Sequence, residues 1–261
     1  RSSRSTRLHS SAGSGFGSSK NSKVNKPKSS SPSPPPRELF ELQELRAQLQ
    51  TILKQNILQQ SLSSEKRAEL TKYVEAVVAK ADSPIDFSGR GGNAMGIAQF
   101  VAGVENKSWR MAFSTDAAGG EGEGGSGTAG DLPYGSTVIL RIGEFVGTDG
   151  RLDYVLKFGK RVMGLNELVA KSKCSVDIGV VNPGLFTFEY EDIKTNVFGV
   201  SNLPVGFFGL LKGRVNYIDT VWFDGERWIE RNYSENGDVV YSVYVRDAED
   251  EKERAKDSNW N

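Results

Sequence analysis

Polar and apolar positions change their period twice along this chain. After Pro36, Leu42, Leu45, Leu49 and Ile52 recur at spacings of three and four, with Leu39 and Leu53 widening the stripe. That spacing predicts an amphipathic helix from Glu38. Glu38, Glu41 and Glu44 occupy its first turns, where the helix dipole favours negative charge, and the stripe is gone by Asn56 and Gln59. The run is too short for a coiled coil. Leu42, Leu45 and Leu49 therefore either lie on the protein's own body or meet a partner or membrane surface. Ser63 and Ser64 can cap a second helix with Glu65 in its first turn. In it Leu70, Tyr73, Val74, Val77, Val78 and Ala81 form one buried face, and Pro84 stops it.

From Ser108 the period becomes two. Strands are predicted over 109–113, 136–145, 151–158, 165–180, 185–192, 214–223, 226–233 and 238–246. Thr148-Asp149-Gly150, Asp224-Gly225 and Asn236-Gly237 read as the tight turns between neighbours. Seven of the fourteen residues from Ala117 to Gly130 are Gly, which makes a loop. Gly120, Gly122 and Gly125 spell G-x-G-x-x-G, but Glu121 and Glu123 would repel phosphate and no helix follows, so no nucleotide site is read there. Eight short hairpin-linked strands close as an antiparallel barrel or pack as a sandwich. The domain reading is a tail over 1–37, two helices over 38–83, a linker over 84–107, a β domain over 108–246 and a charged tail over 247–261.

Charge sharpens the picture at the N-terminus. Lys+Arg and Asp+Glu are both 33 in the 261 residues, yet residues 1–37 hold eight basic residues, thirteen Ser and no acid. The remaining 25 Lys and Arg face all 33 acids. A Ser-rich, basic, acid-free start has the composition of an organelle transit segment, plastid type especially, and is expected to be disordered. The chain opens on Arg1, so residues upstream of it are expected. The Ser- and Pro-rich run 29–36 reads as an extended stiff spacer. The basic tail lacks interleaved aromatics and the body is acidic, which argues against a nucleic-acid partner.

The side-chain inventory excludes several chemistries. His9, the single histidine, sits in the tail, and Cys174 is the single cysteine. A Ser-His or Cys-His nucleophile, a Cys/His zinc cluster and an intrachain disulfide are therefore not expected. Glu189 and Glu191 share a strand face, but they also fit a solvated face. No enzyme, cofactor or metal is expected.

Two short segments carry a resemblance. Lys107-Ser108-Trp109-Arg110-Met111-Ala112-Phe113-Ser114-Thr115 resembles the G-x-W-x-L-x-Y-T-S strand that opens the domain of the plastid-lipid-associated protein, or fibrillin, family. Trp222-Phe223-Asp224-Gly225-Glu226-Arg227-Trp228-Ile229-Glu230-Arg231-Asn232 resembles that family's Y-L-D-x-x-L-R-I-x-R-G motif, followed by Val243-Tyr244-Val245-Arg246 in place of F-V-L-x-R. The likeness covers about 65–246. Gly225, Arg227, Trp228 and Asn232 depart from it, and the Gly-rich loop is unusual. It implies a mainly β fold with a lipocalin-like antiparallel barrel behind two helices. It also implies a plastid location on the stromal side, at thylakoid or plastoglobule surfaces, and binding of an apolar lipid, isoprenoid or pigment. Asp224 and Arg231 match characteristic motif positions and are expected to close the barrel through a salt bridge or a turn network.

Trp109, Phe113, Phe186, Phe188, Tyr190, Tyr217, Trp222 and Trp228 are the candidate ligand contacts; as strand aromatics they line an apolar cavity or fill it. Phe207 and Phe208, in the most apolar stretch of the chain (205–211), either plug one end or make a greasy lip. Two functions follow. One is a non-enzymatic barrel binding apolar lipid or isoprenoid. The other is a filled barrel that stabilises a photosynthetic membrane complex, docking through its tail and first helix.

Overall fold

The computed structural model describes residues 36–54, 63–80, 94–115, 136–162, 164–177, 184–197, 200–204, 212–233 and 237–258. The Gly-rich loop, the 1–35 tail and the 205–211 stretch with Phe207 and Phe208 lie outside them.

Both expected helices form, as α1 (Pro36–Lys54) and α2 (Ser64–Lys80). Ser63 caps α2: its Oγ accepts from the Lys66 amide at 3.4 Å and its carbonyl from the Arg67 amide at 3.0 Å. Two further helices lie where the sequence suggested a linker and a tail: α3 (Ala94–Val104) and α4 (Ala248–Ser258). α3 was missed because it is apolar nearly all round and so has no 3.6-residue alternation to read. It ends in a left-handed turn at Asn106, φ +56°. α4 was missed because it is polar nearly all round. Its signal was Asp247, whose Oδ1 accepts from the Glu249 and Asp250 amides at 3.2 and 3.1 Å, ahead of three acids in the first turn.

Nine strands are described. They are β1 (Ser108–Ser114), β2 (Thr137–Ile142), β3 (Asp149–Val162), β4 (Leu165–Val176), β5 (Leu185–Val197), β6 (Val200–Pro204), β7 (Val215–Phe223), β8 (Arg227–Tyr233) and β9 (Val239–Arg246). The sheet runs β4-β3-β2-β1-β9-β8-β7-β5-β6, and β4 also pairs with β5 from Leu165↔Val197 to Val176↔Phe186. Eight antiparallel strands thus close a ring, which leaves none of the eight with a free edge along its whole length. β6 is the strand beyond the eight expected. It continues the pairing of β5 from Lys194 after β7 has left at Glu189. The turn expected at 148–150 falls earlier: Gly147 takes φ +68°, Val146 bridges to Asp149, and β3 starts there.

The ring separates an inner core from an outer one beneath α1 and α2, and a third, smaller cluster joins Ile139, Val155 and Val169. Inside are Trp109, Met111, Val138, Leu140, Phe186, Phe188, Phe223, Trp228 and Tyr244, joined by Ile97, Phe100 and Val104 from α3. Phe100 meets Phe186, Phe223 and Trp228 edge-on at 5.4, 4.9 and 5.5 Å. α3 therefore plugs the ring. It comes so close that a Cβ on Gly103 would stand 2.7 Å from the Phe223 ring. Outside, Leu49 of α1 and Leu70, Val74 and Val77 of α2 cover Ala112, Phe113, Trp222, Ile229 and Val243. Each buried Leu, Val, Ile or Phe among them contributes about 1.5–3 kcal/mol.

Two β-bulges decide which aromatics face in. Met111 pairs with Tyr244, but Phe113 pairs with Val243, so Ala112 is the extra residue. Thr220 pairs with Glu230 and Trp222 with Ile229, so Val221 is the second. Each bulge shifts the alternation by one residue, and Phe113 and Trp222 turn outward to the helices.

Candidate ligand-binding cavity

α3 fills only part of the ring. Beyond Phe186 and Trp228 a cavity of about 470 Å³ remains, within the range of small-molecule sites. β1 and β2 contribute Met111, Ser114, Val138 and Leu140; β5 and β7 contribute Phe188, Tyr190, Asn216, Tyr217 and Ile218. β8 and β9 contribute Glu230, Asn232, Tyr233, Val240, Ser242 and Tyr244, and Tyr154 comes from β3. Tyr217 and Tyr233, 58% and 65% exposed, stand at its rim.

Strand alternation assembles the polar part. On β8, Trp228, Glu230 and Asn232 face in; on β9, Val240, Ser242 and Tyr244 do. Glu230 is only 5% exposed. Its Oε1 accepts from the Tyr244 hydroxyl at 3.1 Å and from Asn232 Nδ2 at 2.7 Å, and Ser242 also hydrogen-bonds the carboxyl. Burial pushes this carboxyl up to about 7, against those three hydrogen bonds. Burial likewise raises the Tyr154 and Tyr244 hydroxyls above the ordinary phenol value, so both stay neutral. Among the described residues no Lys, Arg or His lines the cavity. The adjacent Arg231 turns outward, where its Nε donates to Asp219 Oδ2 at 2.8 Å.

The expected aromatic contacts divide three ways. Phe188, Tyr190 and Tyr217 border the cavity, with Phe188 and Tyr190 edge-on at 5.5 Å. Trp109, Phe186 and Trp228 fill the plugged part, and Trp228 Nε1 donates to Thr220 Oγ1 at 3.1 Å. Phe113 and Trp222 lie outside the ring under α1 and α2, Trp222 beneath the guanidinium groups of Arg46 and Arg227 at 5.9 and 5.5 Å. Of the salt bridge or turn network expected at Asp224 and Arg231, the turn network forms at Asp224 and the two side chains do not pair with each other. Asp224 instead holds its own turn: Oδ1 accepts from the Glu226 and Arg227 amides at 3.0 and 2.7 Å, and Oδ2 from Arg227 Nη2 at 2.6 Å. Gly225, at φ +91°, supplies the left-handed residue that this turn needs. Arg227, counted above as a departure from the motif, is thus the partner of Asp224, and Arg231 belongs to Asp219. Leu49 is fully buried and Leu45 packs beside it, so that part of the α1 stripe is spent inside the molecule. Leu42 lies on α1, Pro36–Lys54.

Tyr154, Glu230 and Tyr244 were not singled out from sequence. The available signal was a carboxylate alternating with Trp228 and Asn232 on a strand face that otherwise reads as buried. Cys174 is an interior packing residue whose thiol burial pushes up to about 12. Among the described residues no group of three or more His, Cys, Asp or Glu is placed to hold a metal, and no helix is long and apolar enough to cross a membrane. No protein-family profile matches this chain, and no curated protein sequence matches it.

Proposed function

We propose that this chain is a non-enzymatic plastid binding protein of the fibrillin type, with a lipocalin-like barrel that takes up a lipid, isoprenoid or other largely apolar small molecule at thylakoid or plastoglobule surfaces. The observation that carries the reading is the cavity of about 470 Å³ beside Phe188, Tyr190 and Tyr217. An interior packed throughout would have no room for a ligand. Location rests on the basic, acid-free composition of residues 1–37 and on the two motif-like segments. The exposed side chains of Val215, Tyr217, Tyr233 and Val239 suit transfer of an apolar ligand at a membrane surface. Titration of the full chain with the neutral dye N-phenylnaphthylamine tests it. Saturable emission enhancement, with affinity changed by Phe188→Trp, is expected; emission rising linearly with dye would overturn the reading.

A further inference from the structure

We infer that the cavity selects a ligand bearing an amine: a monoamine cation seated against Glu230, with its apolar body along Met111, Leu140, Phe188 and Ile218. This deepens the proposed binding function and rests on it.

Three observations point the same way. First, the carboxyl has acceptor capacity left. A carboxylate offers about four lone-pair positions. Tyr244, Asn232 and Ser242 are three neutral donors to it, and Oε1 receives two of them. Second, among the described residues nothing compensates its charge from within: none of those lining the cavity is a cation, and Arg231, next along the strand, is committed to Asp219 on the outer side. A ligand cation would supply the missing partner, and the carboxyl, raised by burial, would return to its ionised form as the ammonium arrives. Third, six aromatic rings (Tyr154, Phe188, Tyr190, Tyr217, Tyr233 and Tyr244) border the same space, and aromatic walls suit an organic cation where aliphatic ones do not.

Other ligand heads fit less well. A carboxylate or phosphate would meet Glu230 with no basic residue among the described lining to offset the repulsion. An inorganic cation would find one carboxylate in a space many times its size. A hydroxyl would fit, but it brings no charge and so gains a hydrogen bond without the ion pair that an ammonium makes.

Decylamine, decanol and decanoate share a chain and differ in the head. Displacement of bound N-phenylnaphthylamine from the full chain at neutral pH ranks them. Decylamine is expected to compete about tenfold more tightly than decanol, the added worth of a charge on the donor, with decanoate weakest. Glu230→Gln should erase the gap between amine and alcohol. Asp219→Asn, which removes an acid on the outer face, should keep it. Decanol or decanoate matching decylamine on the native chain would overturn the inference while leaving the cavity reading intact. So would an equal loss of preference in both variants, since a long-range field would then explain it. Failure of the dye to bind saturably would remove the cavity reading and the amine selectivity together.

Discussion

Arg141 on β2 and Asp250 on α4, 109 positions apart in the chain, share two hydrogen bonds: Arg141 Nε and Nη2 donate to Asp250 Oδ2 and Oδ1 at 2.9 and 2.7 Å. Asp250 is 1% exposed and also accepts from Ser108 Oγ at 2.7 Å. Arg141 reaches Glu167 of β4 at 3.0 Å as well. The C-terminal helix is thereby tied to β1 and β2. Asp250→Ala is expected to destabilise the fold by about 2–3 kcal/mol, the cost of leaving a desolvated guanidinium and hydroxyl short of partners. Urea unfolding at neutral pH measures it. Burial disfavours the Asp250 charge, but the Arg141 and Ser108 hydrogen bonds outweigh it and hold the carboxyl below its ordinary value. The folded value lies below the unfolded one, so this stabilisation is complete above about pH 4 and fades as pH falls through the folded value. The penalty of Asp250→Ala should shrink in parallel in acid.

Glu230 has the opposite sign. Its folded value of about 7 lies above the ordinary 4.5, so the folded state holds the proton more tightly than the unfolded chain does. Its burden on stability is absent below pH 4.5, grows as pH rises, and is complete above pH 7. Glu230→Gln should therefore gain stability relative to the native chain between those limits, by about 3 kcal/mol at the plateau. Paired melting curves across that range check the trend. A stability difference that does not change with pH would show that the carboxyl is not desolvated as described.

Leu49 connects α1 to the sheet through Leu70, Val74 and Trp222. Leu49→Ala is expected to cost about 2–5 kcal/mol in urea unfolding, the range for a buried leucine. Because the native fold uses this side chain, a charged residue at Leu49 would unfold the helix pair whether or not a partner exists. Any test of docking through α1 must use exposed positions of that helix, such as Glu44 or Gln50.

Eight of the nine described strands, the hairpin turn at Asp224-Gly225 and the two N-terminal helices could be read from period and turn chemistry, because Asp224-Gly225 and the capping Ser63 act locally. Sidedness could not be read beyond each bulge. Trp109 and Phe113 are four residues apart and should share a face by simple alternation, yet Ala112 separates them into different cores. Trp222 was misread for the same reason at Val221. Bulge positions depend on how two strands pair over long separation, which a linear pattern does not hold. The polar centre was hidden differently. Glu230, Tyr154 and Tyr244 come from β8, β3 and β9, and only ring closure brings them together. Pairing by proximity in sequence suggested Asp224 with Arg231, whereas the cross-strand register gives Asp219↔Arg231.

The two faces of β9 offer the sharpest test of where the free space lies. Val240 borders the cavity, and Val243, three residues on, is fully buried in the outer core with Leu70, Trp222 and Ile229. A tryptophan at each position adds the same volume to opposite sides of one strand. Val240→Trp has room to project into the cavity, so stability should stay within about 1 kcal/mol of the native chain while N-phenylnaphthylamine binding is lost. Val243→Trp has no such room. It should cost about 1–3 kcal/mol by overpacking the sheet–helix layer and leave dye affinity unchanged at temperatures where the protein is folded. Urea midpoints and dye titrations on the same two preparations separate the outcomes. Loss of binding in Val243→Trp with retention in Val240→Trp would place the ligand between helices and sheet rather than inside the ring.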